Sequence, residues 1–410
     1  MTLREDADNI MKAALFSALP DTAVKEALKE MDPVKGKLIL IAVVKAAWQM
    51  SKAAVDELGD SVTQGVVITK YNHIKGELPN IKCYEAGHPI PDANSYLATQ
   101  EALKLVSDLT QDDEVLFLIS GGGSALFESP LISEEELQSI TEKLLASGAD
   151  IVEMNTIRKR LSAVKGGRFA LACAPAKVFS VVLSDIIGDP LDMIASGPAY
   201  PDSSTCEPAF ELIENYKIPL SMEAKVFLKK ETPKVLKNVE THITGSVKQL
   251  CESAQKEALK LGYKAMYLSA SLCCQAKEAG SFLASIARDH QDTNDSLAFI
   301  CGGETIVQLT GHGKGGRNQE LALSAAQGIS GLEQTAVFSV GSDGTDGPTD
   351  AAGGYVDGDT CSKLLEKGIL ISRVLQQNDA YHALAQCEGL VITGPTGTNV
   401  NDLSVVLIKR

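Results

Sequence analysis

The chain has no excess of positive charge: 38 Lys and Arg stand against 53 Asp and Glu in 410 residues, a formal charge of -15. Nucleic acids and anionic membrane surfaces are bound by basic fields, so neither is an expected partner, and an anionic ligand has to be held by a local cluster. No apolar run approaches the roughly 20 residues that span a bilayer. Arg4, Glu5, Asp6 and Asp8 stand where a signal or transit segment would exclude acids. Nine cysteines are scattered and never form Cys-x-x-Cys, so neither a zinc site nor a redox pair is signalled, and they read as buried thiols of a reducing cytosol. The Gly-x-x-x-x-Gly-Lys-Ser/Thr phosphate loop, the protein-kinase catalytic loop and the Gly-x-Ser-x-Gly elbow of serine hydrolases are also missing. What is left is a cytoplasmic enzyme of ordinary composition, 44% hydrophobic and 22% charged, long enough for two or three domains.

Strand-like and helix-like runs alternate along the chain, which predicts α/β architecture with largely parallel sheets. In the first half, strands are expected at 37–43, 65–69, 115–119 and 178–183, with helices at 46–58, 95–109 and 133–146. In the second half they are expected at 242–244, 264–268, 297–300, 305–309, 335–340, 390–392 and 403–408, with helices at 247–261, 275–287, 318–326 and 380–386. The stretch from Ser196 to Lys237 is rich in proline and charge and reads as short helices, so the expected domains are 1–235 and 236–410.

Polar, glycine-rich loops follow many of these strands, where open α/β sheets bind ligands. Gly311-His312-Gly313-Lys314-Gly315-Gly316-Arg317 sets a glycine turn and a cation at a helix start. An arginine there is disfavoured by the macrodipole unless an anion lies between, so the segment reads as an anion site. In Ser120-Gly121-Gly122-Gly123-Ser124, three glycines let the backbone approach a phosphate closely. Ser184-Asp185 and Gly188-Asp189 place carboxylates at the sheet's ligand edge. The loop from Gly341 to Asp350 sets Asp343, Asp346 and Asp350 among glycines, with the wrong spacing for an EF-hand but with hard oxygens that suit magnesium. The turn from Gly394 to Asp402, with Thr398, Asn399 and Asn401, offers donors for phosphate oxygens. Arg158, Lys159, Arg160, Lys165 and Arg168 form a basic run without an acid, either a solvated helix face or an anion site. His88 in Gly87-His88-Pro89-Ile90-Pro91-Asp92 is either part of turn chemistry or a hydrogen-bond donor to substrate. Glycine turns, acids for a divalent cation and isolated cations are the kit for phosphoryl transfer. Gly311-x-Gly313-x-x-Gly316 also matches a dinucleotide fingerprint, although Arg317 follows it and no acid ends a strand about 20 residues later.

Taken in order, these segments resemble the two-domain glycerate kinases whose C-terminal half is the MOFRL domain. The resemblance rests on those loops together with Lys45-Ala46-Ala47-Trp48-Gln49-Met50, Asn155-Thr156-Ile157-Arg158-Lys159, Lys165-Gly166-Gly167-Arg168, Ser196-Gly197-Pro198, Gly302-Gly303-Glu304-Thr305 and Asn318-Gln319-Glu320. It implies a Rossmann-like N-terminal domain with a mainly parallel sheet, a smaller α/β C-terminal domain, and an active site in the interdomain cleft. The implied reaction is ATP-dependent, magnesium-assisted phosphorylation of D-glycerate at the 2-hydroxyl. A 3-phosphoglycerate product, an NAD(P)H-dependent hydroxypyruvate reductase and a catalytically silent sensor stay open, as does a homodimer. Lys45 and Arg317 match positions essential for transfer, and Asp185, Glu304 and Asp343 match metal or general-base positions, Asp185 being the preferred base. The nucleotide phosphates are expected at Ser120, Gly121, Gly122, Gly123 and Ser124, at Gly315 and Gly316, and at Thr398, Asn399 and Asn401. The glycerate carboxylate is expected at His88, Arg158, Lys165 and Arg168. One departure is Val44, where the family usually has glycine: a valine resists positive φ, so the turn before Lys45 is expected to be shifted or reshaped.

Overall fold

The computed structural model describes residues 2–88, 90–121, 123–184, 186–188 and 190–410. Asp185 and Gly122, both expected at the site, lie outside the described residues, as do Asp189 and Pro89. The chain divides into two compact units, one formed by residues 23–184 and 189–244, the other by 1–22, 185–188 and 245–410.

The first unit is built on β1 (Leu38–Val43), β2 (Val62–Lys70), β3 (Ile81–Ala86), β4 (Glu114–Ile119), β5 (Lys177–Leu183) and β6 (Val239–Gly245), in the order β3-β2-β1-β4-β5-β6. β1 pairs in parallel with β2 and β4, β2 with β3, and β4 with β5. This is the Rossmann strand order, in which the chain reverses its direction of winding between β1 and β4 and leaves a ligand crevice at their carboxyl ends. β1 and β4 are buried along their whole length, as the unbroken apolar runs predict for strands covered on both faces. β6 was expected as the first strand of the second half and instead completes this sheet. β3, partly exposed at the edge, is interrupted by Lys82 and Glu85, so no unbroken apolar run marks it as a strand.

The second unit holds β7 (Lys264–Leu272), β8 (Leu297–Gly303), β9 (Thr335–Gly341), β10 (Gly353–Asp357), β11 (Leu390–Val391) and β12 (Asp402–Ile408), ordered β11-β10-β9-β12-β8-β7. Here only β7 and β8 pair in parallel; β12 runs antiparallel to both β8 and β9, and β10 to β9 and β11. The sheet is therefore mixed rather than largely parallel. The reversal matters, because the start of β12 lies at the carboxyl ends of β8 and β9, with Asp402 opposite Gly303 and Gly341.

The helix Leu3–Ser17 is stopped at its start by a capping box between Thr2 and Glu5. Leu3, Ala7, Ile10, Met11, Ala14 and Leu15 fall at helical spacing and join the core of the second unit with the helix Val247–Lys260. Asp6, buried in that contact, accepts hydrogen bonds from Tyr263 Oη and Lys409 Nζ, both at 2.7 Å.

The strand expected at 305–309 does not form. Ile306 makes a single bridge to Gln275, and Leu309 is 80% exposed. The next residues turn instead toward 377–379. Thr310 and Gly311 donate their backbone N–H groups to Asn378 Oδ1, Gly313 to the Gln377 carbonyl and Lys314 to Asp379 Oδ1.

Candidate functional site

In the first unit the two turns that leave β1 and β4 meet at the point where the strand order reverses. Ser120, at the end of β4, accepts a hydrogen bond on Oγ from the N–H of Ala46 at 3.3 Å, and the Lys45 carbonyl accepts one from Thr69 Oγ1 at the same distance. Val44 adopts φ 112 and is fully buried. The turn before Lys45 is therefore not reshaped away from positive φ; a β-branched residue is held in it, with its N–H on the Ile68 carbonyl and its carbonyl on the N–H of Ala47. Lys45 is exposed at the entrance to the helix Ala47–Leu58. His88 lies near it: partial burial, then the charges of Lys45 and Lys70, hold the His88 imidazolium below the usual histidine range.

Ser124 opens a second network. Its Oγ is 2.8 Å from Ser196 Oγ, which donates to Asn155 Oδ1 at 2.8 Å, and its carbonyl accepts from Arg158 Nη2 at 3.0 Å. Arg158 is buried with Nε lacking a partner, and it lines a cavity of about 20 Å³ with Tyr96, Ile90 and Pro91. The rest of the basic run is neither a solvated face nor open to solution. Lys159 pairs with Asp202 at 3.0 Å and Asp192 at 3.2 Å, and Arg160 with Glu231 at 3.3 Å. Lys165 pairs with Glu128 at 2.8 Å, and Arg168 donates to the carbonyls of Lys159 and Ser162. Burial brings the Lys165 ammonium down to about 8 against the pull of Glu128.

In the second unit a cavity of about 900 Å³ is lined by Glu304, Gly315, Gly316, Arg317, Asp343 and Asp346, among others. The helix Arg317–Gly328 begins at its wall. Arg317 is gripped by Asp402, with Nε to Oδ2 at 2.5 Å and Nη2 to Oδ1 at 3.1 Å, and its Nη1 donates to Glu304 Oε1 at 2.9 Å. Burial would lower the Arg317 pKa, but the Asp402 contact and the charges of Glu304 and Asp346 outweigh it and hold the guanidinium above its ordinary value. The first free amides of the helix are also taken. Asp346 accepts from the N–H of Asn318 at 3.2 Å and of Gln319 at 2.9 Å. Gly316 has to be glycine for this, since a Cβ there would lie 2.3 Å from Asp346 Cγ. The anion that the sequence demanded at this helix start is thus supplied by protein carboxylates, and burial pushes Asp346 up to about 6.

The two polar loops of this unit are stitched together. Ser342 N–H donates to the Asn401 carbonyl, Val400 N–H to Ser342 Oγ, and Thr396 N–H to the Asp343 carbonyl. Asn401, at φ 66, reaches Glu304 Oε2 through Nδ2 at 3.2 Å. Asn401 Oδ1 and Thr398 Oγ1 are buried without a partner, and Asn399 is exposed. Asp343 is half-buried, with Oδ1 on the N–H of Thr345 at 2.9 Å. Sequence reasoning placed Asp346 only among possible magnesium ligands and Asp402 only at the end of a polar turn, and assigned neither to Arg317 or its helix start. Both stand in the glycine-rich loops it identified, but only the antiparallel course of β12 brings Asp402 beneath Arg317.

The chain matches the family model described as a domain of unknown function (DUF4147) over residues 6–229 and that of the MOFRL family over residues 297–402. It is 51% identical to a D-glycerate 2-kinase of Thermotoga maritima, with 99% of each chain covered. It is 42% identical to a glycerate 2-kinase of Pyrococcus horikoshii, with 100% of this chain and 98% of the other covered. A crystal structure of a Thermotoga maritima glycerate kinase superposes with a TM-score of 0.94 at 50% identity, over 99% of both chains. The chain therefore belongs to the two-domain glycerate kinase family whose C-terminal part is the MOFRL domain.

Proposed function

We propose that this protein transfers the γ-phosphoryl group of ATP to the 2-hydroxyl of D-glycerate, giving 2-phosphoglycerate and ADP. The observation that carries the reading is Arg317, a cation fixed by a buried carboxylate in the wall of a large glycine-lined cavity, in a chain alignable end to end with glycerate 2-kinases. Phosphoryl transfer asks for positioning and charge neutralisation, and a guanidinium fixed by carboxylates yet one-third exposed to the cavity supplies both. In the first unit Lys45 stands exposed next to the Ala46–Ser120 contact, and it is the other cation we assign to the reaction. His88 and Arg158 recognise the glycerate carboxylate, with Lys165 and Arg168 fixing the segment that carries Arg158. Asp185, outside the described residues, is the base we assign to the hydroxyl.

Magnesium would neutralise nucleotide phosphate charge. Glu304 and Asp343, both partly exposed in the cavity wall, are the oxygen donors that fit it. Among the described residues no three His, Cys, Asp or Glu side chains cluster to hold a metal unaided. Magnesium ordinarily takes one or two carboxylates plus substrate phosphates, so the reading calls for no third side chain.

A relative from Agrobacterium vitis, 36% identical, carries a provisional hydroxypyruvate reductase name. The Gly311–Gly316 segment speaks against that chemistry here. A dinucleotide loop offers its amides to a pyrophosphate, whereas those of Gly311, Gly313 and Lys314 are engaged by residues 377–379. The test is ADP release from ATP and magnesium that depends on D-glycerate, beside hydroxypyruvate-dependent NAD(P)H oxidation. Lys45→Ala and Arg317→Ala should each lower turnover about a hundredfold or more. Near-native turnover in both variants would remove the assignment.

A further inference from the structure

The two carboxylates on Arg317 differ in the properties that govern exchange. Asp402 is anchored at the first residue of β12, between Gly303 and Gly341, and its side chain is 8% exposed. It grips the arginine at two nitrogens, the planar fork that gives such pairs their strength and direction. Glu304 follows β8, is 46% exposed, and touches a single guanidinium nitrogen, Nη1. Exposed single-point ion pairs contribute little and are readily exchanged. Removing a buried partner instead strands a charge. Both Arg317 and Glu304 line the cavity, so an anion entering it meets Nη1 with Glu304 already there.

We infer that Asp402 is a positioning residue that fixes the Arg317 fork, and that Glu304 is an exchangeable placeholder, displaced from Nη1 by an incoming phosphate oxyanion. The exchange makes and breaks hydrogen bonds only, and the proton stays on arginine. Asn401 Nδ2, already on the other Glu304 oxygen at 3.2 Å, keeps the displaced carboxylate tethered at the cavity wall. Glu304 thereby shields the guanidinium in the empty enzyme and is free for a cation once phosphate has taken its place. The catalytic consequence rests on the kinase reading; the anion exchange does not.

Metal-free tripolyphosphate, titrated calorimetrically into the full-length protein, separates the two roles. Glu304→Gln removes the competitor and should bind the probe about threefold more tightly or better. Asp402→Asn should bind it no more tightly than wild type. In steady-state assays Asp402→Asn should lower kcat tenfold or more with the nucleotide KM within about threefold, and should cost nothing further in an Arg317→Ala background. Unchanged or weaker tripolyphosphate binding by Glu304→Gln overturns the placeholder role. Full multiplication of the Asp402→Asn loss onto Arg317→Ala overturns the positioning role. Should Asp402→Asn fail to fold, the Glu304→Gln arm still decides the exchange, because its side chain is half exposed. A wild type inactive on D-glycerate whose Glu304→Gln variant nevertheless binds tripolyphosphate more tightly would sink the kinase reading and leave the exchange standing.

Discussion

Arg317 occupies the first turn of a helix, where the backbone dipole repels a cation, and Asp402, Glu304 and Asp346 make the position tenable. Of these, Asp346 carries the clearest solution signature. Its folded value of about 6 lies above the 3.8 of an unperturbed aspartate, burial being the main cause. The folded state therefore binds a proton that the unfolded chain releases between roughly pH 4 and 6. The stability this contributes is full below that window and is lost as pH rises through about 6. Relative to Asp346→Asn, wild type should lose on the order of 3 kcal/mol between pH 4 and 7, read from urea unfolding at each pH. A difference that stays flat with pH would contradict the assigned burial. The sequence announced that an anion had to sit near Arg317, because the helix start and the cation were both visible. It did not reveal that the anions were Asp346 and Asp402, since their approach depends on tertiary pairings between strands far apart in the chain. The basic run from 158 to 168 failed to reveal its state for the same reason: its partners Glu128, Asp192, Asp202 and Glu231 are distant in sequence.

At the level of elements, the turn after β1 holds a conflict between local preference and global fold. Val44 at φ 112 stores strain of about 1–3 kcal/mol, held in place by the strand before it and the helix after it. Val43 is equally buried but lies in regular strand. Val44→Gly and Val43→Gly lose the same side chain, and only the first releases strain. Val44→Gly should therefore be less destabilising by about 1–3 kcal/mol in denaturant unfolding; equal losses would show that no strain resides there. The buried strands of the first sheet were legible because covered strands are unbroken apolar runs. β10 was not, because it opens with Gly353 and Gly354. A Cβ at Gly353 would lie 1.9 Å from the Ser339 carbonyl, and one at Gly354 would lie 2.9 Å from Ala322 Cβ, so packing demands glycines that erase the strand signal. The reverse error at 305–309 came from Ile306 and Leu309, apolar residues that face solvent instead of a sheet.

At the scale of the molecule, the first helix of the chain belongs to its last unit. Ile10 is fully buried in the core that also holds Val247, Ile300 and Phe338. Ile10→Ala should cost about 3 kcal/mol, and hydrogen exchange should place the loss in β8, β9 and β12 rather than in the first sheet. Weakened protection confined to β1–β5 would contradict this partition. No helix among the described residues is long and apolar enough to cross a membrane. The central claim is chemical, and its most direct test is the identity of the product. The purified protein should be incubated with D-glycerate, ATP and magnesium, without a mutase, and the product identified by NMR. The account predicts 2-phosphoglycerate and ADP in equal amounts; 3-phosphoglycerate would contradict the assigned hydroxyl, and no phosphorylated product would contradict the account itself.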